Sequence, residues 1–256
     1  MKTLFTKLEF HYSFLIMALG LVLTGYFSNL IVFTSLIIVH EFGHVLVALV
    51  LKYKVSNIII YPFGGIVKLN TIVNTSIYKD LLISISGIVM QILYFFLIYI
   101  LYKTGIIRDY IYNLFILYHN SMLIFNLLPI IPLDGFKIVN LLLSKFLTFN
   151  LANKLSVVIS LISIVIFLFS GLFEKNYSIV LILGVLMKNI YKFYNDISLI
   201  YTKFLVERYL YKIKYNGTKV IDNENKMYKN KSHFFILNGR LIGEKAYLAN
   251  FFQKIN

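Results

Sequence analysis

Residues 30–51 read Leu30-Ile31-Val32-Phe33-Thr34-Ser35-Leu36-Ile37-Ile38-Val39-His40-Glu41-Phe42-Gly43-His44-Val45-Leu46-Val47-Ala48-Leu49-Val50-Leu51. As a helix rising about 1.5 Å per residue, this run is long enough to cross a hydrocarbon core of about 30 Å. Three titratable side chains, His40, Glu41 and His44, sit near its middle. Each costs a few kcal/mol at mid-membrane depth, so such groups are retained where they do chemistry. Positions i and i+4 share a helix face, so both imidazoles can grip one cation while Glu41 stays close enough to exchange a proton with water. A soluble core rarely buries such a trio without a metal. The stretch therefore predicts zinc chemistry inside a membrane helix.

The rest of the composition agrees with a polytopic membrane protein. Apolar residues make up 59% of the 256 positions, against about 45 to 50% in an ordinary globular domain, and mean hydropathy is +0.78. There is room for several spans and one modest soluble piece, with no second large domain. The chain has no Cys, which excludes disulfides and thiolate ligands and leaves His, carboxylate or water to hold a metal. The formal charge of +14 accompanies an abundance of Lys, Asn, Ile and Tyr of the kind a biased genome produces. It is read as topology markers and contacts with anionic lipid, and no direct nucleic-acid binding is expected.

Six apolar runs predict an all-α bundle of about six transmembrane helices, over residues 10–27, 30–51, 81–101, 110–128, 154–173 and 177–193. Met1 to Lys7 is briefly basic, like the start of a signal peptide, but no convincing small-residue cleavage site follows, so the first run is kept as a span. With both termini in the cytosol, Lys2, Lys7, Lys52, Lys54, Lys137, Lys145, Lys154, Lys188 and Lys192 lie inside, and Lys103, Arg108 and Lys175 outside, as the positive-inside rule favours. Between the second and third runs, Ser56 to Leu69 reads as two β-prone segments around Pro62-Phe63-Gly64-Gly65. A hairpin or re-entrant loop and a plain surface turn fit it equally.

The fourth run ends in Asn126-Leu127-Leu128-Pro129-Ile130-Ile131-Pro132-Leu133-Asp134-Gly135. Two prolines so close together break a helix, so a discontinuous element is expected with Asp134 opening its second half. From about Asn195 the chain turns mixed and charged. Residues 1–194 are expected to form the membrane domain and 195–256 a small cytosolic C-terminal tail. The tail carries a strand and turn at Phe234 to Gly239 and a short helix near Glu244 to Phe252, at best a marginal domain by itself.

A hydrolytic zinc site takes three protein ligands and leaves a fourth position for water. His40 and His44 supply two, and Asp134 is the best third donor. His40 lies roughly 18 Å from the cytosolic marker Lys52, and Asp134 roughly 16 Å from Lys145, if both stretches are helical. They would meet in one layer. Bound zinc brings the pKa of its water to about 7 and polarises a carbonyl, and Glu41, which is not a ligand, would shuttle the proton to the leaving amine. Asn126 could donate to the developing oxyanion or serve equally as interhelical glue. His119 reads as a hydrogen-bonded bundle residue, with a supporting or gating role as the sharper alternative. His11 reads as interfacial, and His233 belongs to the tail. A substrate helix must be unwound before attack, and the Ile58 to Leu69 hairpin could hold it as an added strand.

These residues resemble the site-2 protease family of intramembrane zinc metalloproteases: His40-Glu41-x-x-His44 in a membrane helix, the Pro62-Phe63-Gly64-Gly65 loop, and Asn126-x-x-Pro129-x-x-Pro132-Leu133-Asp134-Gly135. The likeness covers about residues 1–195, and its compact form is most similar to members that act in sporulation. It implies His40, His44 and Asp134 as zinc ligands and Glu41 as catalytic acid/base. The loop Pro62, Phe63, Gly64, Gly65 and Asn126 are expected at the substrate. The resemblance further implies a membrane-associated protein substrate, pro-sigma-K in a mother-cell membrane, and inhibitory membrane partner proteins. An anti-sigma factor or remnant signal peptide is the alternative substrate, and a non-catalytic metal-binding transporter or scaffold the alternative class. Two departures stand out. Relatives commonly carry Gly-Pro with a downstream Asn where this chain has Ser86-Gly87-Ile88-Val89-Met90-Gln91, and the tail is too short for a complete cystathionine-beta-synthase-type domain. Its Lys203, Arg208, Lys212, Lys214 and Lys219 suit an acidic substrate, a membrane surface or plain solvation.

Overall fold

A computed structural model of the chain describes residues 8–62, 64–169, 178–213, 215, 217–237 and 239–253. Met1 to Lys7, Phe63, Lys175 and Lys214, named above, lie outside the described residues, as does Asn238 of the expected turn. The chain is mostly helical, and its contacts divide it into two compact units.

The first unit comprises residues up to Thr71 together with Leu82–Leu127. It opens with strand β1 (Leu8–Phe10), then helices α1 (Tyr12–Leu23) and α2 (Phe27–Val50). The sequence placed a span from residue 10. Instead the first three described residues pair in parallel with β2 (Val55–Tyr61), Leu8 opposite Ile58 and Phe10 opposite Ile60. The His11 Nδ1 then accepts from the Ser13 N–H and caps α1. That cap leaves α1 with 12 residues, about 18 Å, short of the hydrocarbon thickness. β2 and β3 (Gly64–Leu69) form the expected hairpin, antiparallel from Val55 opposite Leu69 to Tyr61 opposite Gly64. Gly64 takes a positive φ of 147° at its turn, a conformation that needs no β-carbon. β-Branched residues fill β2, where Ile58 and Ile60 are buried two apart on one face. Ile58 packs with Val45 and Ala48 of α2, so the sheet lies against the helix bearing the histidines.

Helix α3 (Ile77–Lys103) begins in the second unit and continues through the first, and α4 (Asp109–Leu127) completes the first unit. Phe115 and Met122 of α4 join Val32, Leu36 and Ile37 of α2 in its core. α4 stops at Leu127, as the prolines predict, and α5 (Asp134–Phe146) restarts with Asp134 as its first residue.

The second unit contains Ile72–Leu81 and everything from Leu128 onward. In it α5 is followed by α6 (Phe149–Phe169), α7 (Ser178–Leu210), strands β4 (Thr218–Ile221), β5 (Ser232–Leu237) and β6 (Arg240–Gly243), and α8 (Glu244–Gln253). α7 runs well past residue 193, where its charge predicted an end. β4 pairs in parallel with β5, and β5 antiparallel with β6. Phe149, Phe204, Ile221, Met227, Phe235 and Leu248 form one buried cluster, so the tail strands and α8 share a core with α6 and α7.

Three described helices, α2, α3 and α6, are long and apolar enough to cross a membrane. Their exposed side chains include Leu93, Phe96, Leu97 and Ile100 on α3 and Ile162, Val165 and Ile166 on α6. Apolar surface of that extent belongs in lipid. The protein is a multi-pass membrane protein.

Candidate metal centre and active site

His40 and His44 are one turn apart on α2, as i and i+4 positions must be, and both are buried. Their Nε2 atoms lie 3.2 Å apart. Two nitrogens sharing one tetrahedral ion at Zn–N of about 2.05 Å would be about 3.3 Å apart. The pair is already at that spacing.

What faces those nitrogens is the backbone of α3. A β-carbon on Gly87 would overlap the His44 Nε2 and lie 2.7 Å from the His40 Nε2. Glycine there lets both donor atoms lie against bare backbone, in a cradle that a β-carbon would fill. Gly43 performs a related service on α2, since a β-carbon there would lie 2.6 Å from the Ser86 carbonyl oxygen and 2.7 Å from the Met90 Cβ. Small residues at both positions let the two helices approach closely.

The far side of the His44 ring is fixed as well. Its Nδ1 is 2.6 Å from the Ile83 carbonyl oxygen. A carbonyl only accepts, so Nδ1 carries the proton and Nε2 presents its lone pair. For His40, Nδ1 is 3.3 Å from the Gln91 Oε1, and the Gln91 Nε2 donates to the His119 carbonyl at 2.9 Å. His119 itself is buried, with its ring stacked beside Phe95 and Phe115. It is placed as a bundle residue.

Glu41 is buried beside the histidines, and its Oε1 accepts the Gly65 N–H at 3.0 Å. A β-carbon on Gly65 would overlap the Glu41 Cγ and lie 2.6 Å from its Cδ. β3 therefore reaches the carboxylate with bare backbone. Pro62 and Gly64 sit at the hairpin turn, and Phe63 is outside the described residues. Asn126 is half-buried near the end of α4, and its side chain bonds to none of the described residues.

Asp134 is buried in the first turn of α5, where the helix N-terminus favours its negative charge. Its Oδ1 accepts from the Lys137 Nζ at 2.8 Å, so this lysine pairs with the carboxylate three residues before it. His40 and His44 thus offer two buried ring nitrogens, and the buried Asp134 carboxylate is the third donor the sequence leads one to expect. The donor set, two neutral imidazoles and a carboxylate, suits zinc in a hydrolytic site.

Sequence reasoning also passed over Gly87 and Gln91, noticing their segment only as a departure from relatives. The available signal was the spacing of Ile83, Gly87 and Gln91, four residues apart on one face of α3. His11 and His233 are elsewhere, capping α1 and lying in the tail.

Comparison with known proteins agrees with this geometry. Residues 28–112 match the model of peptidase family M50. Stage IV sporulation protein FB of Bacillus subtilis (strain 168) is 31% identical over 209 residues, spanning 80% of this chain and 72% of that protein. The solved Site-2 Protease from Methanocaldococcus jannaschii superimposes with a TM-score of 0.54 at 24% identity, covering 72% of this chain and 89% of that one, a likeness of fold. The chain belongs to peptidase family M50, the site-2 protease family of intramembrane zinc metalloproteases.

Proposed function

We propose that this protease cuts pro-sigma-K, with zinc held by His40, His44 and Asp134 and with Glu41 as general acid and base. The observation that carries the site is the Gly87 cradle against the Nε2 atoms of His40 and His44. The substrate reading rests on the likeness to a sporulation protein. Zinc, when bound, supplies a water of lowered pKa and polarises the scissile carbonyl.

Glu41 takes a proton from the attacking water as oxygen bonds to the carbonyl carbon, and passes it to the amine as the peptide C–N bond breaks. Its Oε1 stays on the Gly65 N–H throughout, which keeps the carboxylate aimed. Asn126 donates to the oxyanion. The sheet order β1-β2-β3 leaves β3 with an edge that no described strand covers, and the unwound substrate pairs there, beside the Pro62 to Gly65 turn. Residues 1–194 form the catalytic membrane domain. Both termini face the cytosol, where the basic tail of 195–256 meets an acidic substrate or membrane partners that hold the protease inactive.

Co-expression with membrane-anchored pro-sigma-K tests the reading. Wild type releases the product, and Glu41→Gln, which keeps the Gly65 bond and the zinc ligands, slows release by about 10²- to 10⁴-fold. Equal release by both rejects Glu41 as the acid/base. No release by wild type, with another tethered substrate cut, rejects pro-sigma-K.

A further inference from the structure

Gln91 is fully buried, at 0% exposure, in a helix whose length and apolarity suit a membrane span. A primary amide there is costly unless both of its ends are bonded. Its two ends do different work. The His119 carbonyl can only accept, so the nitrogen of the Gln91 amide faces it at 2.9 Å. That choice leaves Oε1 facing the His40 Nδ1 at 3.3 Å. Oε1 can only accept in turn, so Nδ1 of His40 is the protonated nitrogen and Nε2 bears the lone pair.

The same logic operates one residue pair away, where the Ile83 carbonyl fixes the His44 tautomer. Ile83, Gly87 and Gln91 therefore form a stripe four residues apart on α3. Its ends face the two imidazoles at Nδ1, and its middle lets their Nε2 atoms lie against bare backbone. One end of the stripe is backbone and survives any substitution. The other is a side chain, which substitution can remove.

We propose that Gln91 is a positioning residue, transmitting the fixed direction of the His119 carbonyl to His40 and so selecting the tautomer that binds metal. The proposal rests on His40 being a ligand. An imidazole without such a partner divides between tautomers and ring orientations, and loss of an outer partner of a metal-bound histidine typically lowers metal affinity about 10- to 100-fold.

The test uses the full chain in detergent. Zinc affinity is measured by chelator competition, and the ¹⁵N shifts of the metal-free histidines report their tautomers. Gln91→Met, similar in shape but without an acceptor oxygen, is expected to lower affinity at least about tenfold and to convert His40 from a single Nδ1–H form to a mixture, with His44 unchanged. Gln91→Glu, which burial at this depth keeps as the neutral acid, retains an O–H for the His119 carbonyl and an acceptor opposite Nδ1, and is expected to stay within about threefold of wild type. Wild-type affinity and an unmixed His40 tautomer in Gln91→Met overturn the proposal. So does a tenfold loss in Gln91→Glu, which decides the matter alone if Gln91→Met does not fold. His40→Ala is the separate control: unaltered zinc binding in that variant rejects the ligand assignment itself.

Discussion

At residue 87 the absence of a side chain makes a sharper demand than any side chain nearby. A methyl group on Gly87 would meet His44 and His40 at their Nε2 atoms, the ends of buried rings whose Nδ1 atoms face the Ile83 carbonyl and Gln91. Ala is favoured over Gly in a helix interior by about 1 kcal/mol, which offsets the roughly 0.5 to 1.5 kcal/mol for each ring bond lost as the rings shift. Gly87→Ala should therefore leave the metal-free protein within about 2 kcal/mol of wild type while lowering zinc affinity by about 100-fold or more, because displaced rings no longer present their Nε2 atoms at bonding distance from one ion. Zinc stoichiometry after dialysis and thermal unfolding of the metal-free protein check the two halves separately. A variant that retains zinc rejects the cradle. The contrast with His40, Glu41 and His44 shows what a sequence discloses at this scale. Those three are legible because one helical turn relates them, and polar groups in an apolar run announce themselves. Gly87 and Gln91 act on residues more than forty positions away, and nothing local in Ser86 to Gln91 encodes which face of α3 meets α2.

Elements were legible where backbone chemistry marks them. Pro129 and Pro132 lack N–H groups, and the helix breaks there and restarts at Asp134. Pro62 and the glycines marked the hairpin. β1 was hidden because Leu8 to Phe10 leads directly into an apolar run, and its strand character comes only from pairing with Ile58 to Ile60. The far end of α7 was hidden for the opposite reason, because a charged composition signals departure from lipid and is silent on where a helix stops. The hairpin also carries a prediction. β3 brings the Gly65 N–H to Glu41, and Ile59 of β2 stands opposite Ile66 of β3. Ile59→Pro removes a ladder N–H and bends the central strand. Cleavage of a tethered substrate should fall at least about tenfold, that is by about 1.4 kcal/mol or more in the barrier, with zinc content unchanged because both histidines are on α2. Undiminished cleavage would remove the hairpin from the mechanism.

For the chain as a whole, the least legible feature is the core of the C-terminal region. Buried Arg208 donates to Asn74 and to both carboxylate oxygens of Glu244, and to the carbonyls of Tyr228, Lys229 and Lys231. Asn74 also bonds Glu207. Residues 74, 208 and 244 share no periodicity, so a sixty-residue tail that looks marginal in isolation draws its order from distant segments of the same unit. The network is also sensitive to acid. The Tyr228 N–H donates to the His233 Nε2, so Nδ1 carries the proton and faces the Glu244 Oε2 at 3.1 Å. Burial, and then the charges of Arg208 and Lys219, push the His233 pKa below its ordinary value even though the bond to Glu244 raises it. Burial raises the Glu244 carboxyl too, but His233 and Arg208 outweigh it and hold it below the usual carboxylate range. Both lowered values act in one direction. The unfolded segment binds more protons than the folded one once pH drops below about 6.5, so the stabilisation from neutral His233 is complete above that value and declines below it. The Glu244 contribution follows only at lower pH, below the ordinary value for Glu. Hydrogen exchange of residues 218–253, corrected for intrinsic rates, should accelerate as pH is lowered from about 7.5 to about 5.5. In His233→Gln, which cannot take up the proton, the corrected rates should stay flat across that interval. A wild-type profile equally flat would mean that His233 keeps its proton count on unfolding, and would remove it as the source of acid sensitivity.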